Sequence, residues 1–353
     1  MVLDEASAIR NPDTLAAKAA RKLNAAVRIA ISGTPVENSV RDLWSIYQFL
    51  LPGYLGGRED FRQRYEIPCA AEVQDQSSRA AMQRLRWRTE PFMLRRTKSL
   101  VAKDLPAKME SIVWCDPTPL QKESYEAILR QGADKVDQLR KKSGNESATM
   151  QMLTVLLRLR QTCCDLRLLD DQLGEKSLME VSAKMVRLME LLEEAERGNH
   201  RVLVFSQFTS MLALIRAELK SEGIDHCYLD GSTRDRSAEV ERFQKPDGPP
   251  VFLISLKAGG YGLTLTAADT VVLFDPWWNP AVEAQAADRV HRIGQTKPAT
   301  IYKFITCGTV EEKILRLQEK KIGVINAAMG EGDDEARPMM SGLSEGEMLE
   351  LLQ

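Results

Sequence analysis

Arg201-Val-Leu-Val-Phe205, Asp225-His-Cys-Tyr-Leu229, Val251-Phe-Leu-Ile-Ser255, Thr270-Val-Val-Leu-Phe274 and Thr300-Ile-Tyr-Lys-Phe-Ile305 are five short apolar runs in the second half of the chain. Segments of helical period at 182–197, 209–222, 234–244 and 281–291 separate them, with a further short helix expected near Tyr261. Strands that alternate with helices at this spacing predict an α/β fold: a mostly parallel sheet with helices on both faces. After the last run, Thr309 stands at a helix N-cap with Glu312 at the capping-box position, which predicts a helix to about Ile325.

Outward from this block the character changes. Residues 54–178 read as largely helical, interrupted by a β-like Met109–Cys115 between Pro106 and Pro117. Residues 1–53 read as strand end, helix, strand, turn and helix, beginning with Val2-Leu3 as the tail of a buried strand. Residues 327–353, rich in Gly, Glu, Asp and Met, read as a flexible acidic tail. The expected division is therefore 1–53, 54–178, 179–326 and 327–353. No repeat of 20 to 50 residues is visible.

The chain has 353 residues, 44% hydrophobic, enough for two or three cores. Its 48 basic and 50 acidic residues give a formal charge of −2, so a nucleic-acid partner has to be met by local patches. Six cysteines without a CxxC pair, and three histidines, give no zinc-ligand spacing. With no signal peptide and no uncharged apolar run of about 18 residues, the expectation is a reducing cytoplasm, buried thiols and no membrane span.

Three segments carry chemistry. Asp4-Glu5-Ala6 at a strand end suits one carboxylate organising Mg²⁺ and a second orienting a water, and equally suits helix capping or solvation. Ser32-Gly33-Thr34-Pro35 follows a second apolar strand, at the sheet edge where such folds bind ligands, or as an ordinary strand-to-helix turn. In Gln285 to Gln295, Arg289 and Arg292 lie three apart on one expected helical face and can converge on a single anion such as a γ-phosphate. The plain alternative is a solvated basic face.

Together with Phe205-Ser-Gln-Phe208, Asp230-Gly-Ser-Thr233, Ser255-Leu-Lys-Ala-Gly-Gly-Tyr-Gly-Leu263 and Asp275-Pro-Trp-Trp-Asn-Pro280, these segments stand in the order found in the Swi/Snf-like ATPases of helicase superfamily two, which the chain resembles from about Val2 to Ile325. The resemblance implies two RecA-like lobes, the second complete and the first present as a remnant, with ATP between them and double-stranded DNA across both. It implies Mg²⁺ and water handling by Asp4 and Glu5, coupling by Thr34, nucleotide contacts by Gly262 and Gln285, and arginine fingers at Arg289 and Arg292. It further implies DNA-backbone contacts by Ser206, Gln207, Ser232, Thr233 and Lys257, with little sequence specificity; with no chromatin-reading module visible in this portion, a bacterial, nucleoid-associated setting is expected.

Ser7 and Thr264 depart from the family's usual Gln or His and Asn. A larger departure is that no G-x-x-x-x-G-K-[ST] occurs, so the phosphate-cradling loop and its lysine are expected outside this sequence. The chain alone is then expected to be inactive, and a binding or interaction module without ATPase activity is the competing reading. An RNA helicase would be expected to lack the helical insertion and the paired tryptophans. Arg79 to Lys103 holds eight basic residues against Glu90, which reads either as a phosphate-binding stripe or as an internal brace.

Overall fold

The computed structural model describes residues 1–33, 40–70, 76–94, 96, 98–102, 104–143, 145–259, 263–328 and 345–352. They form two compact units, Met1–Thr97 with Leu317–Ser344, and Lys98–Arg316 with Glu345–Gln353.

In the first unit β1 (Val2–Leu3) and β2 (Ile29–Ala30) pair in parallel, Val2 against Ile29 and Leu3 against Ala30. Strands alternate, so the pair has two faces. Leu3 and Ala30 pack on Ile9, Ala17, Ala20, Ile46 and Phe49, contributed in part by α1 (Leu15–Lys22) and α2 (Val40–Leu50). Thr14 caps α1 by accepting the Ala17 N–H. The other face carries Val2, Ile29 and Ile31, each at least half exposed. Beyond α2, Trp44, Tyr47, Leu55, Phe61, Tyr65 and Leu85 build a second small core beneath α3 (Gln76–Thr89).

The second unit holds a six-stranded, all-parallel sheet of order β3-β8-β7-β4-β6-β5. Its strands are β3 (Lys108–Cys115), β4 (Val202–Ser206), β5 (His226–Leu229), β6 (Val251–Ser255), β7 (Thr270–Leu273) and β8 (Ala299–Thr306). Val202 and Val204 face a core shared with Met185, Leu188, Met211 and Ile215, while Leu203 and Phe205 face Phe243, Ala286 and Val290. Both faces are thus covered at the centre of the sheet, which explains why β4, β6 and β7 are buried throughout. The covering helices are α6 (Ala183–Arg197) and α7 (Thr209–Ser221) on one side, with α8 (Arg236–Gln244) and α10 (Pro280–Ala287) on the other. A single turn, α9 (Leu256–Gly259), follows β6, and α4 (Pro119–Ser143) packs against α5 (Asn145–Cys164).

Two features differ from the sequence expectation. β3 lies in the stretch read as a helical insertion, yet it joins the sheet, Lys108 opposite Ala299 through Cys115 opposite Thr306. Its alternation was legible, but a parallel partner so distant in the chain leaves no local mark. The stretch expected to be a flexible tail also holds a helix. Glu345–Leu352 is a helix, α12, packed on α5, with Met348 and Leu351 buried. Met348, Leu351 and Leu352 repeat at i, i+3 and i+4, the spacing of one apolar helix face.

A fully buried ion pair ties the sheet to its helices. Lys184 of α6 reaches Glu311 at 2.6 Å and donates to the Phe274 carbonyl at 2.9 Å, while Glu311 accepts the Thr306 N–H. Burial pulls the Lys184 ammonium down, and Glu311 with the nearby thiols more than offsets this, holding it above the ordinary lysine value. Glu311, one residue before the expected capping-box Glu312, therefore faces inward at the start of α11 (Val310–Ala328). The expected inert thiols are present: burial pushes Cys115 up to about 11 and Cys227 up to about 12.

Candidate functional site

Because every strand of the second unit runs the same way, the loops after β4, β5, β6 and β7 emerge at one edge of the sheet. At its centre is Asp275, just past β7, with its carboxylate fully buried. It accepts from the Ser206 hydroxyl and from the Gln207 N–H at 3.2 Å, and pairs with Arg160 of α5 at 3.4 Å. Desolvation raises its pKa, opposed by Arg160 and Ser206. Arg160 also donates to the Pro276 carbonyl at 2.7 Å and lies 4.7 to 5.4 Å from the ring centres of Trp278, Trp277 and Phe208.

Ser206, expected on a DNA backbone, is corrected by this geometry. It is completely buried and its hydroxyl is spent on Asp275. In the alternation of β4 it shares the inward face of Val202 and Val204, so it cannot reach a surface ligand as placed. Gln207 is half-buried, and Lys257 is exposed on α9. Ser232 is exposed and Thr233 half-buried, both gathered on Asp230: its carboxylate accepts the Ser232 N–H at 2.8 Å, the Ser232 hydroxyl at 2.7 Å and the Thr233 N–H at 3.1 Å. The Ser232 hydroxyl bond is the main reason the Asp230 carboxyl is held below its ordinary value. A phosphate contact by Ser232 would require its hydroxyl proton to leave Asp230.

Arg289 and Arg292 do converge, though not along a helix. α10 ends at Ala287, and the next residues tighten into i→i−3 turns, Arg289 N–H to Ala286 and Val290 N–H to Ala287. Both guanidiniums donate to the Leu263 carbonyl, at 3.5 and 3.3 Å, and Arg292 also reaches the Thr264 hydroxyl at 3.1 Å. Arg289 is buried and Arg292 half-buried.

The two loops are stapled. Leu265 N–H donates to Arg289 O, and the Gln295 amide donates to Ala268 O at 2.7 Å while accepting from Thr296 and Lys297. Lys98 closes the loop from the other side, pairing with Asp288 at 2.8 Å and donating to His291 O at 2.9 Å, while His291 Nε2 sits 2.9 Å from Pro106 O. This end of the basic stripe is an internal brace. Arg79, Arg84, Arg86 and Arg96 are exposed; Arg88 instead donates to Tyr54 O. Gln285 is half-buried on α10. Thr34, Gly262, Arg95 and Lys103 lie outside the described residues.

In the first unit Asp4 and Glu5 sit exposed just past β1. The Glu5 N–H donates to Asp4 Oδ1 at 2.9 Å, and Ala6 N–H ties the turn to Ile31 O beyond β2. Glu5 adopts φ +48°, a left-handed conformation that costs a non-glycine residue about 1 kcal/mol and often marks functional turns.

Sequence reasoning passed over Arg160 and Gln295, whose side chains hold these loops. Arg160 had a signal: Met152, Leu156, Arg160 and Cys164 form an i, i+4 stripe, all buried, in which a cation needs a partner.

Two family profiles match the chain, the SNF2-related domain over residues 1–168 and the helicase conserved C-terminal domain over residues 183–294. The Sulfolobus solfataricus SWI2/SNF2 ATPase core in complex with dsDNA is 35% identical, over 94% of this chain and 69% of its own, with a TM-score of 0.54. An uncharacterized ATP-dependent helicase of Mycoplasma pneumoniae is 36% identical over 94% of this chain and 30% of its own length. The human SWI/SNF-related matrix-associated actin-dependent regulator of chromatin subfamily A member 1 is 33% identical over 94% of this chain and 32% of its own. An all-parallel sheet covered by helices on both faces and matched in this way defines a RecA-like α/β core of the helicase-related ATPases. The chain belongs to the SWI2/SNF2 family. It spans about a third of the length of the curated relatives it matches. Among the described residues no helix is long and apolar enough to cross a membrane.

Proposed function

We propose that this chain is the C-terminal part of an ATP-dependent translocase on double-stranded DNA, its second unit supplying two arginines to the nucleotide and the sheet-edge loops to the DNA backbone. The observation that carries this reading is the pair Arg289 and Arg292 aimed at one acceptor, Leu263 O. Charge-assisted hydrogen bonds from guanidinium to an anionic oxygen are stronger than those to a neutral carbonyl, so two guanidiniums reaching one point suit an anion. On phosphoryl transfer such cations stabilise the charge spread over the equatorial oxygens.

Gln207, Ser232, Thr233 and Lys257 are the proposed backbone contacts, which position the duplex without reading its sequence. Ser206 acts behind them through Asp275. Asp4 offers an exposed oxygen donor that fits a hard cation. Among the described residues no group of three or more His, Cys, Asp or Glu is suited to a metal, so Mg²⁺ would be held by Asp4 together with ATP phosphates. Mg–ATP, when bound, would supply the phosphoryl group; Glu5 would orient the attacking water, Gly262 and Gln285 would contact the nucleotide, and Thr34 would couple its state to the DNA.

The test is duplex binding and ATP hydrolysis by the purified chain. Duplex affinity should fall with salt, and turnover should be absent, since no phosphate-cradling loop lies in these residues. Adding a polypeptide that carries such a loop and its strands should restore DNA-stimulated turnover. Robust turnover by the chain alone would refute this division of the site. The second reading, a binding module without ATPase activity, draws on the uncovered Val2, Ile29 and Ile31 face; it wins if complementation gives binding but no hydrolysis.

A further inference from the structure

We propose that Arg160 is a positioning residue for DNA engagement, holding the loops after β4 and β7 in one geometry from a helix that is not part of the sheet. The inference rests on the DNA reading of the Gln207 loop given above. Arg160 is 2% exposed, and its Nη2 reaches both the Pro276 carbonyl at 2.7 Å and the Asp275 carboxylate at 3.4 Å. Asp275 in turn holds the Ser206 hydroxyl and the Gln207 N–H. Around the guanidinium stand Phe208 from the first loop and Trp277 and Trp278 from the second, with ring centres at 5.4, 5.4 and 4.7 Å. One cation therefore touches both loops by two kinds of contact, hydrogen bonding and ring faces.

The far side of the second loop is fixed separately, Trp277 N–H donating to Glu283 Oε1 at 2.7 Å. Arg160 is a further tie, and it comes from α5. The tryptophan faces turned to Arg160 are occupied by it, which removes them as base-stacking platforms and makes them part of the clamp.

Stability alone does not call for this arrangement. A buried ion pair is often replaceable by apolar residues of similar volume without loss of stability. A side chain without the guanidinium fork would fill the space and leave Pro276 O and the ring orientations unset.

The test uses the chain in two forms, Arg160→Lys and the charge-neutral pair Arg160→Met with Asp275→Asn. The latter keeps acceptors for Ser206 and Gln207 and leaves no buried unpaired charge if the single variant folds poorly. Amide exchange in 206–208 and 277–278 should rise about tenfold in the neutral pair, with the thermal midpoint near that of wild type. Its duplex dissociation constant should rise about tenfold, with the salt slope unchanged because no phosphate contact is removed. Arg160→Lys, which keeps the charge and loses the fork, should fall between.

Unchanged exchange in both loops would overturn the positioning role, as would loosened loops with unchanged duplex affinity. Failure of the wild-type chain to bind duplex while the neutral pair still loosens both loops would instead refute the DNA reading and leave Arg160 as a clamp on that edge.

Discussion

Replacing Lys184 by Met should be among the most damaging single changes in the second unit. The ammonium is fully buried 2.6 Å from Glu311, whose carboxylate also accepts the Thr306 N–H at 2.8 Å. Without Lys184 an anion is left in the core, a loss of about 3–5 kcal/mol. At about 2–4 °C per kcal/mol for a unit of this size, the midpoint should drop by roughly 10 °C. Lys184→Met with Glu311→Gln removes both charges and keeps an acceptor for Thr306, so it should recover most of the loss, with a coupling of about 2–3 kcal/mol across the cycle.

Urea unfolding of wild type, both singles and the double, followed by far-ultraviolet circular dichroism, measures all four corners. Because Lys184 is held above its ordinary value of 10.5, its contribution is fully present below that pH and is lost only as pH rises through the higher folded value. The Lys184 contribution should therefore be flat across the neutral range. A single variant costing less than about 1 kcal/mol, or a double as costly as the sum of the singles, would refute the reasoning.

The Asp230 turn should resist acid. Its folded pKa lies below the unfolded 3.8, so the stabilisation is present above 3.8 and is lost only as pH falls through the lowered value. Slow exchange of the Ser232 amide persisting below pH 3.8 checks this, and loss already at pH 5 would contradict it. In a hydrolysing assembly, Arg292→Ala should lower turnover by about 10³-fold while sparing duplex affinity. Arg289→Ala should do the same and additionally loosen 263–265, because Arg289 is buried while Arg292 is half-buried. Equal loss of turnover and duplex affinity in Arg292→Ala would make that arginine structural.

Most of the second unit was legible in the sequence because helix and strand periods alternate there and the strands are apolar on both faces. The same double-sided burial hid the fate of Ser206. In Val202 to Phe205 every position is buried, so hydrophobicity does not tell where the strand leaves the core, and residue 206 is still inside it, on Asp275. Arg289 and Arg292 were paired by their spacing on an expected helix, but that helix stops at Ala287. Their convergence depends on Leu263, a tertiary contact that spacing does not encode. Arg160 was readable as a cation in an apolar stripe. Its partners, from loops more than forty residues away, were not.

The pairing of β3 with β8 sets a timetable for synthesis. β3 is finished when Cys115 has been added, but its partner is complete only at Thr306. At roughly 5–20 residues per second those ~190 residues take about 10–40 s, during which the strand has no ladder to join. Met109 and Trp114, still about half exposed in the folded chain, are then bare on an unpaired edge. The order of the sheet thus makes a waiting period in which a nascent-chain chaperone is most needed, and a ribosome pausing after β3 would lengthen it.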